Sequence, residues 1–233
     1  MRIEKQRGNE DKMSYNVAID GPAGAGKSTI AKAVAKKMNL IYVDTGAMYR
    51  AMALFMLREG VDSQSAEAVS QKCKEADITI GYENGVQVVY LNGENVNAYL
   101  RTEEVGNMAS VISSQPAVRK KLVELQQALA AKSDCIMDGR DIGTCVLPKA
   151  QVKIYLTASS DVRAKRRFDE LSAKGENCDL AKIKADIEER DYRDMHREHS
   201  PLKQAEDAVL VDTSDMTIEE VIEKIAGLCD RKV

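Results

Sequence analysis

The stretch YNVAIDGPAGAGKSTIAKAVAKKM, residues 15–38, passes from a short apolar run through a glycine-rich turn into a helical pattern. Tyr15 to Asp20 reads as a buried strand, and from Ser28 onward Ile30, Val34 and Met38 recur at the spacing of one helix face. Between them Gly21-Pro22-Ala23-Gly24-Ala25-Gly26-Lys27-Ser28 fits G-x-x-x-x-G-K-[ST] in full, with Thr29 beside it. In that setting the glycines let successive backbone N–H groups converge on a polyphosphate and the helix N-terminus adds partial positive charge. Lys27 reaches the outer phosphates, and Ser28 offers a hydroxyl to Mg²⁺.

Outward from this unit the same pattern recurs. Leu40 to Val43, then Asp44-Thr45-Gly46 and a helical stretch to about Arg58, make a βαβα opening. From Ile78 to Val96 the periodicity changes to alternation, broken by Asn84-Gly85 and Asn92-Gly93, which predicts antiparallel hairpins. Residues 62–98 are read as a small β insert between core segments 14–61 and 99–233. Helices are expected near Thr102 to Ile112, Pro116 to Ala131, Ser160 to Leu171, Asp179 to Arg197 and Thr217 to Cys229, and strands at Asp134 to Met137, Gln151 to Leu156 and Ala208 to Val211. Five apolar strands separated by helices predict a five-stranded parallel sheet flanked by helices, with ligands beyond the strand C-termini. Residues 1–13 are read as a flexible tail.

Composition narrows the partners. The 233 residues carry 34 Lys+Arg against 37 Asp+Glu, a formal charge of −3, so nothing global draws a nucleic acid backbone or an anionic membrane. The longest run without a charge, Val105 to Val118, holds Asn107, Ser110, Ser113, Ser114, Gln115 and Pro116, which excludes a membrane span there. Five cysteines with no C-x-x-C pair indicate neither a disulfide framework nor a zinc knuckle, and a reducing cytoplasm follows as the default compartment. A monomer is expected. Neither N-K-x-D nor D-x-x-G occurs, which argues against a guanine-nucleotide switch. A different phosphate-loop kinase and a regulatory ATPase are the alternatives.

Five motifs carry a family resemblance: GPAGAGKST at 21–29, VDTGAMYRA at 43–51, LNGENV at 91–96, MDGRDIGT at 137–144 and ERDYRD at 189–194. In order and across nearly the whole chain they resemble bacterial cytidylate kinases, phosphate-loop kinases of nucleoside monophosphates. The resemblance implies ATP with Mg²⁺ as donor, CMP or dCMP as acceptor, the β insert in the acceptor region and a mobile helical lid at about 160–178. It places Arg50, Arg140 and Arg197 on the acceptor phosphate, and Asp141, Arg119 and Ser110 on the base. Thr45, Arg190 and Asp194 fall near the rest of the acceptor, Asp138 on Mg²⁺ through water, and Arg163, Arg166 and Arg167 in the lid whose arginines cover the ATP phosphates, their i, i+3 and i, i+4 spacing leaving open which of them point inward. The residues alone leave blander readings open: Asp44 as a helix cap, Asp141 as a turn cap, Ser110 bonded to its own helix, and Arg190 to Asp194 as a solvated ion-pair face.

Overall fold

β1 (Asn16–Asp20) is the central strand of the main sheet in the computed structural model, which describes residues 14–230. β6 (Cys135–Gly139) and β7 (Val152–Thr157) flank it, β2 (Ile41–Asp44) lies outside β6 and β8 (Val209–Asp212) outside β7. The order is β2-β6-β1-β7-β8 and every pairing is parallel. Alternation along the strands feeds two cores. Val17, Ile19, Ile136 and Ile154 pack with α1 (Lys27–Met38) and α8 (Ile218–Asp230), while Ala18, Cys135 and Met137 face the other way. There they meet α2 (Thr45–Arg58), whose Met48, Met52 and Met56 recur every fourth residue and are fully buried.

The insert is not purely β. Its short helix α3 (Ala66–Lys72), which the alternation gives no hint of, starts where the Ser65 hydroxyl accepts from Ala68 N–H. The three-stranded antiparallel sheet of β3 (Ile78–Glu83), β4 (Val86–Leu91) and β5 (Glu94–Asn95) follows. Its turns are those the Asn-Gly pairs demand: Asn84, Gly85, Asn92 and Gly93 all have positive φ. The Gln87 side chain completes the outer side of β2, its Oε1 accepting from Asp44 N–H at 2.7 Å and its Nε2 donating to the Asp44 carbonyl at 3.2 Å.

α4 (Glu103–Ile112), capped by Thr102, and α5 (Pro116–Ala130), opened by its proline, pack against α2. α6 (Ser160–Ala173) and α7 (Leu180–His196) pair across the other end of the cleft. Like α3, a π-helical turn at Ile142–Val146 is not marked by the local pattern. Among the described residues no helix is long and apolar enough to cross a membrane. The tail read at 1–13 lies outside the described residues.

Candidate active site

The C-terminal ends of β1, β2 and β6 open into one cleft of about 700 Å³. The phosphate loop follows β1. Gly21 has φ +151°, and a Cβ there would lie 1.9 Å from the Leu156 carbonyl oxygen, so only glycine lets the loop leave the sheet at this point. Lys27 is buried at the start of α1 and its Nζ donates to the Pro22 carbonyl at 2.7 Å, closing the loop on itself. Burial, with Arg140 and Arg190 adding to it, depresses its pKa well below the usual lysine range, against the opposing pull of Asp138 and Asp20.

Beside it Ser28 Oγ donates to Asp138 Oδ2 at 2.8 Å, and the Tyr42 hydroxyl donates to Oδ1 of the same carboxylate at 2.8 Å. Burial raises the Asp138 pKa, with the Asp44 charge adding to it, while Lys27, Ser28 and Tyr42 act to lower it. A serine hydroxyl and a single carboxylate at a phosphate loop fit magnesium, which takes oxygen ligands and keeps most of its shell as water and nucleotide phosphate. Among the described residues no cluster of three or more His, Cys, Asp or Glu could hold a metal by itself.

Away from the phosphate loop the cleft is crowded with cations. Arg50 on α2, Arg140 after β6, Arg190 on α7 and Arg197 at its C-cap all line the cleft. Burial first, then neighbouring guanidinium groups, push three of them below the usual arginine value: Arg190 to about 10 chiefly beside Arg140, Arg50 beside Arg101 and Arg140, Arg197 beside Arg119. Arg190 Nε and one Arg197 amino group are buried without a hydrogen-bond partner. Buried guanidinium donors that repel one another and lack acceptors mark a place built for an anion. Asp194 answers part of the charge, accepting from Arg140 Nε at 2.9 Å. Burial acts to raise its pKa, but Arg140, Arg190 and Arg197 overcome this and hold it below the usual carboxylate range.

Next to this cluster the buried Arg119 guanidinium donates to Asp141 Oδ2, and also to the Ser113 carbonyl at 3.1 Å. Arg197 lies 3.7 Å from Asp141 Oδ1. Burial raises the Asp141 pKa against the pull of Arg119, Arg197 and Arg140. Asp141 therefore does not cap its turn, and the turn-cap reading is set aside. Ser110 lines the same part of the cleft from α4, and Tyr49 lies under the Arg119 guanidinium, 5.8 Å from it, with its buried hydroxyl unpartnered.

Other expected residues take more particular places. Thr45 is at the mouth of α2, but its hydroxyl donates to the Asp138 carbonyl at 2.7 Å, leaving lone pairs and no proton for a ligand. Asp44 does cap α2, accepting from Ala47 N–H at 2.9 Å. Of the three α6 arginines Arg166 and Arg167 are solvent-exposed, Arg167 paired with Glu170. Arg166 donates to the Thr213 carbonyl at 2.9 Å. Arg163 is buried and bonded to the carbonyls of Ala158 and Ala23, with Asp191 at 2.6 Å. All three line the cleft, Arg163 as an internal tie between α6, α7 and the phosphate loop.

Sequence reasoning missed Arg101, which lines the cleft 3.4 Å from Asp44, the buried Asp20 and Asp191, and the half-buried Tyr42. A charge ending an apolar strand was the available signal for Asp20. Arg101, one residue before the Thr102 cap, offered none.

The comparisons agree with this geometry. A family model described as cytidylate kinase matches residues 17–231. Cytidylate kinase of Listeria welshimeri is 50% identical over 218 residues, covering 93% of this chain and 96% of the relative. That of Lactobacillus johnsonii is 50% identical over 216 residues, covering 93% and 94%. A solved structure of an uncharacterized protein from Eubacterium ventriosum superimposes with a TM-score of 0.53 at 11% identity, covering 94% of this chain and 99% of that one, a likeness of fold alone. With a family match over nearly its whole length and half its residues shared with such relatives, the chain belongs to the cytidylate kinase family.

Proposed function

We propose that this chain transfers the γ-phosphate of ATP to CMP or dCMP in the cleft just described, giving ADP and the cytidine diphosphate. The observation that carries it is the buried Arg119–Asp141 pair, set beside an arginine cluster and across from a phosphate loop. Cytosine presents an amino donor at N4 beside acceptors at N3 and O2. Asp141 accepts from N4 and Arg119 donates to N3 and O2, with Ser110 completing the edge. Uracil would set acceptor against Asp141 and donor against Arg119. Arg50, Arg140 and Arg197 hold the acceptor phosphate, Arg190 and Asp194 lie toward its ribose, and Thr45 accepts from a sugar hydroxyl.

The donor triphosphate lies over the backbone of residues 21–29, with Lys27 on its outer phosphates and Arg166 and Arg167 over them from α6. Ser28 and, through water, Asp138 would hold the Mg²⁺, which would supply positive charge to offset that of the transferring phosphates. An acceptor phosphate oxygen attacks the γ-phosphorus without needing a protein nucleophile, so the protein contributes position and positive charge. The cleft is complete within one chain, consistent with a monomer, and five unpaired cysteines suit a reducing cytoplasm.

Measuring ADP release with MgATP and a panel of CMP, dCMP, UMP, AMP and GMP tests this reading. Turnover should be greatest with the cytidine nucleotides, and a preference for any other acceptor overturns it.

A further inference from the structure

The π-helical turn Ile142–Val146 opens with two buried amides, and the residue placed to cap them does not. Asp141 stands at the N-cap position, where an aspartate ordinarily folds back to accept from the backbone. Both of its oxygens instead face guanidinium groups, those of Arg119 and Arg197. The amides are taken by a residue from another strand: Asp20 Oδ1 accepts from Ile142 N–H and Oδ2 from Gly143 N–H, each at 2.7 Å.

Asp20 is 4% exposed, and its oxygens are spent on amides. Lys153, whose stem passes close to Gly143, sends its ammonium away to the Pro148 carbonyl and Asp207. Only a carboxylate offers two acceptors here. An asparagine would turn an NH₂ toward one of the amides, donor against donor, and an apolar side chain would leave both orphaned.

We propose that Asp20 is a positioning residue for acceptor recognition: by capping the 142–146 turn from the neighbouring strand, it releases the Asp141 carboxylate to the cytosine. This rests on the reading of Asp141 as the base-recognition residue. Without it, the amides draw Asp141 back into the ordinary cap, and the base pocket loses its acceptor.

A double-mutant cycle tests this. Asp20→Asn, Asp141→Ala and the double variant are assayed with CMP and UMP at saturating MgATP, and for KM of ATP. Asp20→Asn should raise KM for CMP about tenfold and narrow the CMP to UMP ratio of kcat/KM roughly fivefold or more, with KM for ATP within about twofold. Adding Asp141→Ala to Asp20→Asn should change that ratio by less than about twofold, since the carboxylate has already left the base. If Asp141→Ala narrows the ratio and Asp20→Asn does not, or if the two effects are additive, the Asp20 proposal is overturned. If Asp141→Ala itself leaves the ratio unchanged, the reading of Asp141 falls and takes this one with it. Should Asp20→Asn fail to fold, amide hydrogen exchange in the unaltered protein decides: the Ile142 and Gly143 amides should be protected like those of β6, and exchange as fast as in exposed loops overturns the cap.

Discussion

Lys27 and Asp20 show how differently two buried charges behave at one end of a strand. On the proposed reading Lys27 neutralises transferring phosphates, so Lys27→Ala should abolish measurable turnover while the unfolding midpoint stays within a few degrees of the parent; retained activity in the folded variant would contradict that role. Asp20 is a charge the fold tolerates at a cost. Burial, with the Asp141 charge adding to it, lifts its pKa from 3.8 to about 6, against the two amide bonds and Lys27. Its folded pKa lies above its unfolded one, so the folded state binds more protons between those values. The stability that protonation supplies is full below the unfolded pKa and is lost as pH rises through about 6. The span corresponds to roughly 3 kcal/mol. Urea titrations of the parent and Asp20→Asn from pH 4 to 7 should show the parent losing ground to the variant by an amount of that order, and a pH-independent difference would count against it.

At the scale of elements, the α6–α7 pair is anchored to the phosphate loop through one buried guanidinium. Arg163 holds Ala23, Ala158 and Asp191 together, so Asp191→Ala leaves a buried cation short of its counter-charge, which should cost about 3 kcal/mol in denaturant unfolding. Arg167→Ala, at an exposed pair with Glu170, should leave the unfolding midpoint unchanged and raise KM for ATP. The opposite result, a destabilised Arg167 variant and a neutral Asp191 one, would reverse the assignment of anchor and ligand contact. The insert is anchored likewise. Gln87 stands in for a missing strand neighbour of β2, and in doing so it holds the residue that caps α2 and presents Arg50. Gln87→Leu orphans the Asp44 amide and should weaken CMP binding several-fold, measurable by calorimetry, while KM for ATP is unchanged.

For the molecule as a whole, the repelling arginines are a free-energy cost that, on the proposed reading, an acceptor phosphate would relieve. CMP at about 100 times its Kd should therefore stabilise the fold by roughly 2.7 kcal/mol, a shift of about 5–10 °C in Tm for a chain of this size. Cytidine, which lacks the phosphate, should give a far smaller shift at the same concentration, and equal shifts would mean that the arginine cluster does not read the phosphate. With CMP and a non-hydrolysable ATP analogue together, the insert and the 160–178 lid should close and exclude water, seen as a smaller radius of gyration in small-angle scattering. No compaction would argue for a preformed cleft.

The amino-acid sequence by itself determined what depends on near neighbours along the chain. Apolar runs marked all five strands of the main sheet to within a residue or two, Asn-Gly pairs marked both hairpin turns, and the phosphate loop was legible because its conformation is written in its own glycines. The motifs at 43–51 and 137–144 likewise named the residues that line the cleft. What only the tertiary structure decided is which of them meet. Arg119 and Asp141 are 22 positions apart, Arg140 and Asp194 are 54, and Asp20 and Ile142 are 122. Those pairings follow from a strand order, β2-β6-β1-β7-β8, that no local pattern encodes. The same holds within a residue type: Arg163 and Arg167 are one helical turn apart in one arginine-rich run, yet burial makes the first a tie to Asp191 while the second stays at the surface, paired with Glu170. Residue type states what a side chain can donate or accept; only the folded chain, by removing water from some groups and placing partners beside them, states which of those bonds it must make.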